Sequence, residues 1–162
     1  RETWKLIQHF SITDRRLLAH RKRKKIAGIS FEPFPVWHSI RAPAVGYRIL
    51  CGPLKFFYVP DVTWIPQIDR AFRDIDFYIG DGATIVHPMI RKHEPSGQIF
   101  GHATVRQQLT WCRKQKVPKM IVTHCGAAIV RNEKRAIHHI QQLAHERGVK
   151  VQIAYDGLEL IV

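Results

Sequence analysis

Three apolar runs in this chain each end in a side chain able to bind a metal, and that coincidence constrains the fold more than any single motif. Residues 119–123 read as a short buried strand that delivers His124 to its end, and Cys125 and Gly126 then turn the chain away. Residues 54–59 do the same for Asp61, and residues 34–37 for His38. A lone histidine at a strand end is more often a hydrogen-bonded structural residue than a ligand. Three such ends in one chain call for a sheet whose strand termini converge, and loops leaving one edge of a sheet are where α/β folds place their chemistry.

The intervening sequence supports such a sheet. Residues 29–37 and 47–51 read as strands, and Gly52-Pro53 turns the second into the 54–59 run as an antiparallel hairpin. Pro33 and Pro35 interrupt the first ladder, which predicts an edge position or a bulge. From Asp61 onward helix and strand alternate. A helix is predicted over 65–73 with Ile68, Ala71 and Phe72 on one face, then a buried strand over 76–79 that ends in Gly80-Asp81-Gly82. Residues 87–100 contain Pro88, Pro95 and Gly97 without periodicity and read as a long loop, a feature usually tied to function. Thr104 followed by Gln107 is a capping box opening a helix with Val105, Leu109 and Cys112 in one stripe. Asn132 suits the N-cap of a second helix bearing Ala136, Ile137, Ile140, Leu143 and Ala144, with Gly148 as its stop. Strands over 149–155 and 158–162 are predicted around the turn dipeptide Asp156-Gly157. Upstream, residues 2–10 and the stretch from Thr13 to Leu18 have helical spacing. Strands followed by strand-helix alternation give a sheet covered by helices.

At 162 residues the chain is read as one domain, with 1–28 a helical and basic lead-in and 29–162 the portion bearing the motifs. It opens at Arg1 in a helical pattern, which predicts a piece of a larger protein. Twenty-six basic against thirteen acidic residues give a net charge of +13, favouring a polyanionic partner such as nucleic acid. Arg21, Lys22, Arg23, Lys24 and Lys25 hold five of those charges in what reads as a solvated loop and are the candidate phosphate contacts. No run approaches the roughly 20 apolar residues of a membrane span. Cys51, Cys112 and Cys125 lack paired spacing, so reduced thiols and a cytoplasmic location are expected.

His38, Asp61 and His124 are nitrogen and oxygen donors suited to Zn²⁺ or a similar divalent ion. Each has a plain alternative: His38 as a surface residue, Asp61 as the N-cap of the 65–73 helix, His124 as a hydrogen-bonded strand end. Asp81 and His102 form a second candidate cluster. His102 precedes a capped helix whose N-terminal N–H groups favour anions, so it is placed to bind a phosphate or donate a proton. The alternative there is a structural turn with an exposed histidine. Trp111 and the paired His138 and His139 read as packing or solvated residues.

Taken in order, residues 34–39, 46–49, 58–61, 80–84, 101–104 and 121–124 resemble the second half of a metallo-β-lactamase-fold hydrolase, closest to the ribonuclease Z and phosphodiesterase branch. The resemblance implies an αββα sandwich of which this chain is the C-terminal portion. The N-terminal layer and the H-x-H-x-D-H segment, which supplies most ligands, are absent from it. It further implies that His38 ligates one metal, Asp61 bridges two and His124 ligates the other. The ions implied are two Zn²⁺ in the intact protein, with Mn or Fe as alternatives. His102 would act on the scissile phosphate or the leaving group. Asp81 stands where that branch has His-Glu, a departure that leaves its catalytic role less defined. The expected activity is metal-dependent hydrolysis of a phosphodiester, nuclease-like, in the intact protein. The rival readings are a non-catalytic basic nucleic-acid-binding module and a structural half needing the N-terminal half or self-association to cover an exposed sheet face.

Overall fold

The computed structural model describes residues 18–160. The helices expected over 2–10 and from Thr13 onward lie outside the described residues. The elements run β1 (Lys24–Ile26), β2 (Ile29–Val36), β3 (Ala44–Cys51), β4 (Leu54–Tyr58), α1 (Ile68–Ala71), β5 (Phe77–Asp81), β6 (Met89–Lys92), β7 (Ile99–His102), α2 (Val105–Lys114), β8 (Lys119–Thr123), α3 (Ala127–Val130), α4 (Glu133–His145) and β9 (Lys150–Ile153). Seven strands make one sheet in the order β1-β2-β3-β4-β5-β8-β9, and β6 and β7 form a separate two-stranded sheet. From β1 to β4 the pairing is antiparallel, and from β4 to β9 it is parallel.

Alternation along each strand sorts the side chains into two faces. One carries Phe34, Phe57, Tyr78, Met120 and Val122 into a core shared with Leu109 and Cys112 of α2 and Ala136, Ile140 and Leu143 of α4. The stripes expected on these two helices are therefore the buried ones, and Thr104 caps α2 by accepting from the Gln107 N–H at 3.0 Å. The opposite face carries Phe31, Tyr47, Ile49 and Phe56, half-buried, with Phe56 stacked on Phe77 at 4.8 Å between ring centroids. Phe77 and Ile121 are buried yet lie outside the helix-side core.

Pro33 and Pro35 sit where expected of an edge: β1 pairs β2 only at residues 29–31, so the proline nitrogens face no ladder partner. Among the described residues no helix is long and apolar enough to cross a membrane.

Several expectations need correction. Residues 87–100 are not a loop but largely the β6–β7 hairpin, closed by a turn in which the Gly97 N–H donates to the His93 carbonyl at 2.7 Å with Gly97 at φ 68°. Met89 to Lys92 are exposed throughout, so no burial alternation marked them as a strand. The predicted 65–73 helix is the single turn α1, whose N-cap is Gln67, so Asp61 caps nothing. The basic run is only partly loop: Lys24 and Lys25 belong to β1, and Arg21 bonds Glu32 at 2.8 Å and lies over the Phe34 ring. After β9 the described residues 158–160 form no strand. The short α3 was not foreseen.

Candidate metal centre

The sheet brings the strand ends to one edge. Tyr58 of β4 pairs with Ile79 of β5, and Ile79 pairs with Ile121 of β8. The same count onward along each parallel strand reaches Asp61, Gly82 and His124 at one level. β2 runs in the same direction as β4, with β3 antiparallel between them, so His38 beyond β2 leaves from that edge too. His102 arrives differently. It ends β7, and the Gly101 N–H donates to the His38 carbonyl at 2.9 Å, which ties the hairpin to the end of β2.

Asp61 is the hub. Its Oδ1 lies 3.5 Å from His124 Nδ1, 3.7 Å from His38 Nε2 and 3.8 Å from His102 Nδ1. These separations are long for hydrogen bonds. Donor atoms held about 2.0–2.2 Å from one tetrahedral ion stand about 3.3–3.6 Å from each other, so the 3.5 Å between His124 Nδ1 and Asp61 Oδ1 is that of two ligands of one cation.

The tautomers sharpen the point. His38 Nδ1 faces the Gly101 carbonyl at 3.0 Å, and a carbonyl only accepts, so this nitrogen carries the proton. The Nε2 lone pair is then left pointing at a carboxylate oxygen. Two acceptors face each other, and a cation between them removes the repulsion. A proton on Nε2 would instead draw the pair to about 2.8 Å. Asp61 and His124 therefore fit a divalent ion by donor type and spacing, and His38 by donor type.

Asp81 and His102 form a pair of another kind. Asp81 is the last residue of β5 and fully buried, not part of a flexible turn. Its Oδ2 accepts from His102 Nδ1 at 2.7 Å and from the Val62 N–H at 3.1 Å, and its Oδ1 accepts from the Ala83 N–H at 2.8 Å. Single donor atoms of Asp61, Asp81, His102 and His124 lie within 4.8 Å of one another, which makes all four metal-competent by distance. Chemistry separates them. His102 Nδ1 is committed as a donor to Asp81, and Asp81 already accepts three hydrogen bonds. Asp81–His102 is thus an oriented histidine with its carboxylate, and His124 Nδ1 stands 3.5 Å from both Asp61 Oδ1 and Asp81 Oδ1. His38 falls outside the four-residue group but meets Asp61 through Nε2. Of the basic run, Arg21 and Arg23 face Glu32 at 2.8 and 3.8 Å, and Lys24 and Lys25 lie exposed on β1.

Gln108 was not anticipated. It is fully buried on α2; its Oε1 accepts from the Asp81 N–H and the Tyr78 hydroxyl, each at 2.8 Å, while its Nε2 donates to the Asp81 carbonyl at 2.7 Å and the Ala103 carbonyl at 3.0 Å. It thus ties Ala103, the residue after His102, to Asp81. The signal was a glutamine inside the apolar stripe of Val105, Leu109 and Cys112, where a polar side chain must find partners. Gly82 is needed for close approach rather than for turning, because a Cβ there would stand 2.6 Å from the Thr123 carbonyl oxygen. Burial first, then the charges of Asp81 and Glu133, push the Cys125 thiol up.

No protein-family model and no curated protein matches this sequence. Solved structures do. The metallo-β-lactamase-fold protein YhfI of Bacillus subtilis superposes with a TM-score of 0.74 at 13% identity, over 97% of this chain and 59% of its own. A diphosphatase of the PhnP family gives 0.65 at 20% identity, over 98% and 53%. The short form of human tRNase Z gives 0.55 at 14% identity, over 83% and 44%. The chain spans less than two thirds of each of these proteins. With a mixed sheet whose strand ends gather histidines and aspartates at one edge, this chain carries the metallo-β-lactamase fold seen in those metal-dependent hydrolases.

Proposed function

We propose that this chain is the part of a metal-dependent hydrolase that supplies His38, Asp61 and His124 to the metal centre, and that the intact enzyme cleaves a phosphodiester. One observation carries the reading: a single carboxylate oxygen of Asp61 faces imidazole nitrogens of His124 and His38 at 3.5 and 3.7 Å, beside a histidine-aspartate pair of His102 and Asp81. His38, Asp61 and His124 would hold the ion, and their nitrogen and oxygen donors suit Zn²⁺. A divalent cation there supplies Lewis acidity to a substrate oxygen and lowers the pKa of water.

The chain's own residues account for the rest. The Gly101 carbonyl fixes the His38 ring with Nε2 unprotonated and facing Asp61. Asp81 holds His102 as the Nδ1–H tautomer, which leaves Nε2 as the atom that passes a proton to the leaving-group oxygen. Buried beneath it, Asp81 also stabilises the imidazolium before that proton moves. The net charge of +13 favours a phosphate ester over a neutral substrate. By name, one structural neighbour acts on a diphosphate and another on tRNA, and phosphate-bearing substrates of that kind are consistent with this class. Binding of nucleic acid through the basic run alone has less support, because Arg21 and Arg23 are both engaged by Glu32.

The test is hydrolysis of bis(p-nitrophenyl) phosphate by the intact protein loaded with Zn²⁺, beside an Asp61→Asn variant. Turnover that chelator abolishes and Asp61→Asn removes is expected. A fully metallated protein without turnover, or one indifferent to Asp61→Asn, overturns the reading. A metal-independent, steeply salt-dependent affinity for nucleic acid would then replace it.

A further inference from the structure

A cleft of about 570 Å³ opens beside His124. That size falls in the roughly 300–1,000 Å³ range of small-molecule sites. His124 is one of its walls. Ile129 and Val130 of α3, Glu133 of α4, and Ile153, Tyr155 and Asp156 at and after β9 supply the others. The segment after β9 is held in place by the Ala154 N–H donating to the Val122 carbonyl at 2.8 Å.

Two features of the lining point to a ligand. Val130 and Tyr155 are 67% and 65% exposed, large apolar surfaces left in water beside a site built for chemistry. The chain has 26 lysines and arginines, yet among the described residues lining the cleft there is none, and there are two carboxylates. A second phosphate, or the backbone of a polynucleotide, would meet like charge there. A neutral group instead buries carbon against Ile129, Val130 and Tyr155 and donates hydroxyl or amino hydrogens to Glu133 and Asp156.

We propose that this cleft selects the organic side of the substrate: a flat, apolar alcohol with hydrogen-bond donors and no further negative charge. The inference rests on the hydrolase reading and narrows it to small phosphate esters. Tyr155 and Val130 set the preference for the apolar group, and Glu133 and Asp156 reject anions.

The experiment compares p-nitrophenyl phosphate diesters whose second alcohol is methyl, phenyl or p-carboxyphenyl, using the intact Zn²⁺-loaded protein. In parallel, the Kd of benzylphosphonate, whose P–C bond leaves no ester to hydrolyse, is measured by calorimetry. The phenyl ester should exceed the methyl ester by about tenfold in kcat/KM, the scale of one partly buried ring. The carboxyphenyl ester should fall below the phenyl ester. Tyr155→Ala should erase the phenyl preference and raise the phosphonate Kd by about tenfold, with metal content unchanged. Glu133→Gln with Asp156→Asn should restore the carboxyphenyl ester. Equal turnover of the methyl and phenyl esters, or a phosphonate Kd indifferent to Tyr155→Ala, overturns the cleft assignment while the hydrolase reading stands. Cleavage of none of the esters by metallated protein overturns the hydrolase reading, and the phosphonate titration still decides whether Tyr155 lines a binding site.

Discussion

Replacing Gln108 with leucine keeps the side-chain bulk and deletes every hydrogen bond it makes. Four partners lose theirs at once: the Tyr78 hydroxyl, the Asp81 N–H, the Asp81 carbonyl and the Ala103 carbonyl. Gln108 is fully buried, so water cannot take its place. A buried donor left unsatisfied costs about 1–3 kcal/mol, and carbonyls tolerate the loss better. Two donors at about 1.5 kcal/mol each and two carbonyls at about 0.5 kcal/mol each give a loss of about 4 kcal/mol. At about 3 °C per kcal/mol for a domain of this size, Tm should fall by about 12 °C. Tyr78→Phe removes only one donor, leaves the Asp81 backbone bonded, and should cost about 1 kcal/mol. Urea denaturation of both variants checks the difference as a shift in midpoint at constant slope. Equal costs for the two, or a Gln108→Leu loss under about 1 kcal/mol, would show that Gln108 does not anchor Asp81.

Alkaline pH should destabilise the fold through two buried groups. Burial pushes the Tyr78 phenol well above its ordinary 10.0, with smaller contributions from Cys112 and Asp81, and it pushes the Cys112 thiol above its ordinary 9.0. Both stay protonated when folded and ionise more readily when unfolded, so their stabilisation is complete below those values and is lost as pH rises beyond them. Tyr78→Phe should flatten the decline above pH 10.0 in denaturation curves. Among the thiols, exposed Cys51 should react with Ellman's reagent in the native protein and buried Cys112 only on unfolding. His102→Ala in the intact protein should lower kcat by about 10²–10⁴ while metal content, read by atomic absorption, stays unchanged; loss of metal would move His102 into the ligand set.

The parts of the site legible in the sequence were those written in strand pattern. Apolar runs leading to His38, Asp61 and His124 had to pair in a sheet, and their directions then place all three at one edge. The α2 cap and the α4 stripe were legible because capping and helical burial are local. What escaped notice depends on contacts distant in sequence. The β6–β7 hairpin is exposed on both sides, and its place is set by Gly101 bonding to the His38 backbone. Asp81 looked like part of a loose turn because Gly80 and Gly82 flank it, but those glycines make room: a Cβ at Gly80 would stand 2.5 Å from Gln108 Oε1. Arg21 seemed free because its partner, Glu32, lies on the next strand.

The central claim is that Asp61 is the oxygen around which a metal site is built. Calorimetric titration of the chelator-treated chain with Zn²⁺, wild type against Asp61→Asn, tests it most directly. Zn²⁺ binding that is weakened by Asp61→Asn, with His38→Ala and His124→Ala lowering it in the same direction, is the predicted result. Unchanged Zn²⁺ affinity and stoichiometry in Asp61→Asn would contradict the account.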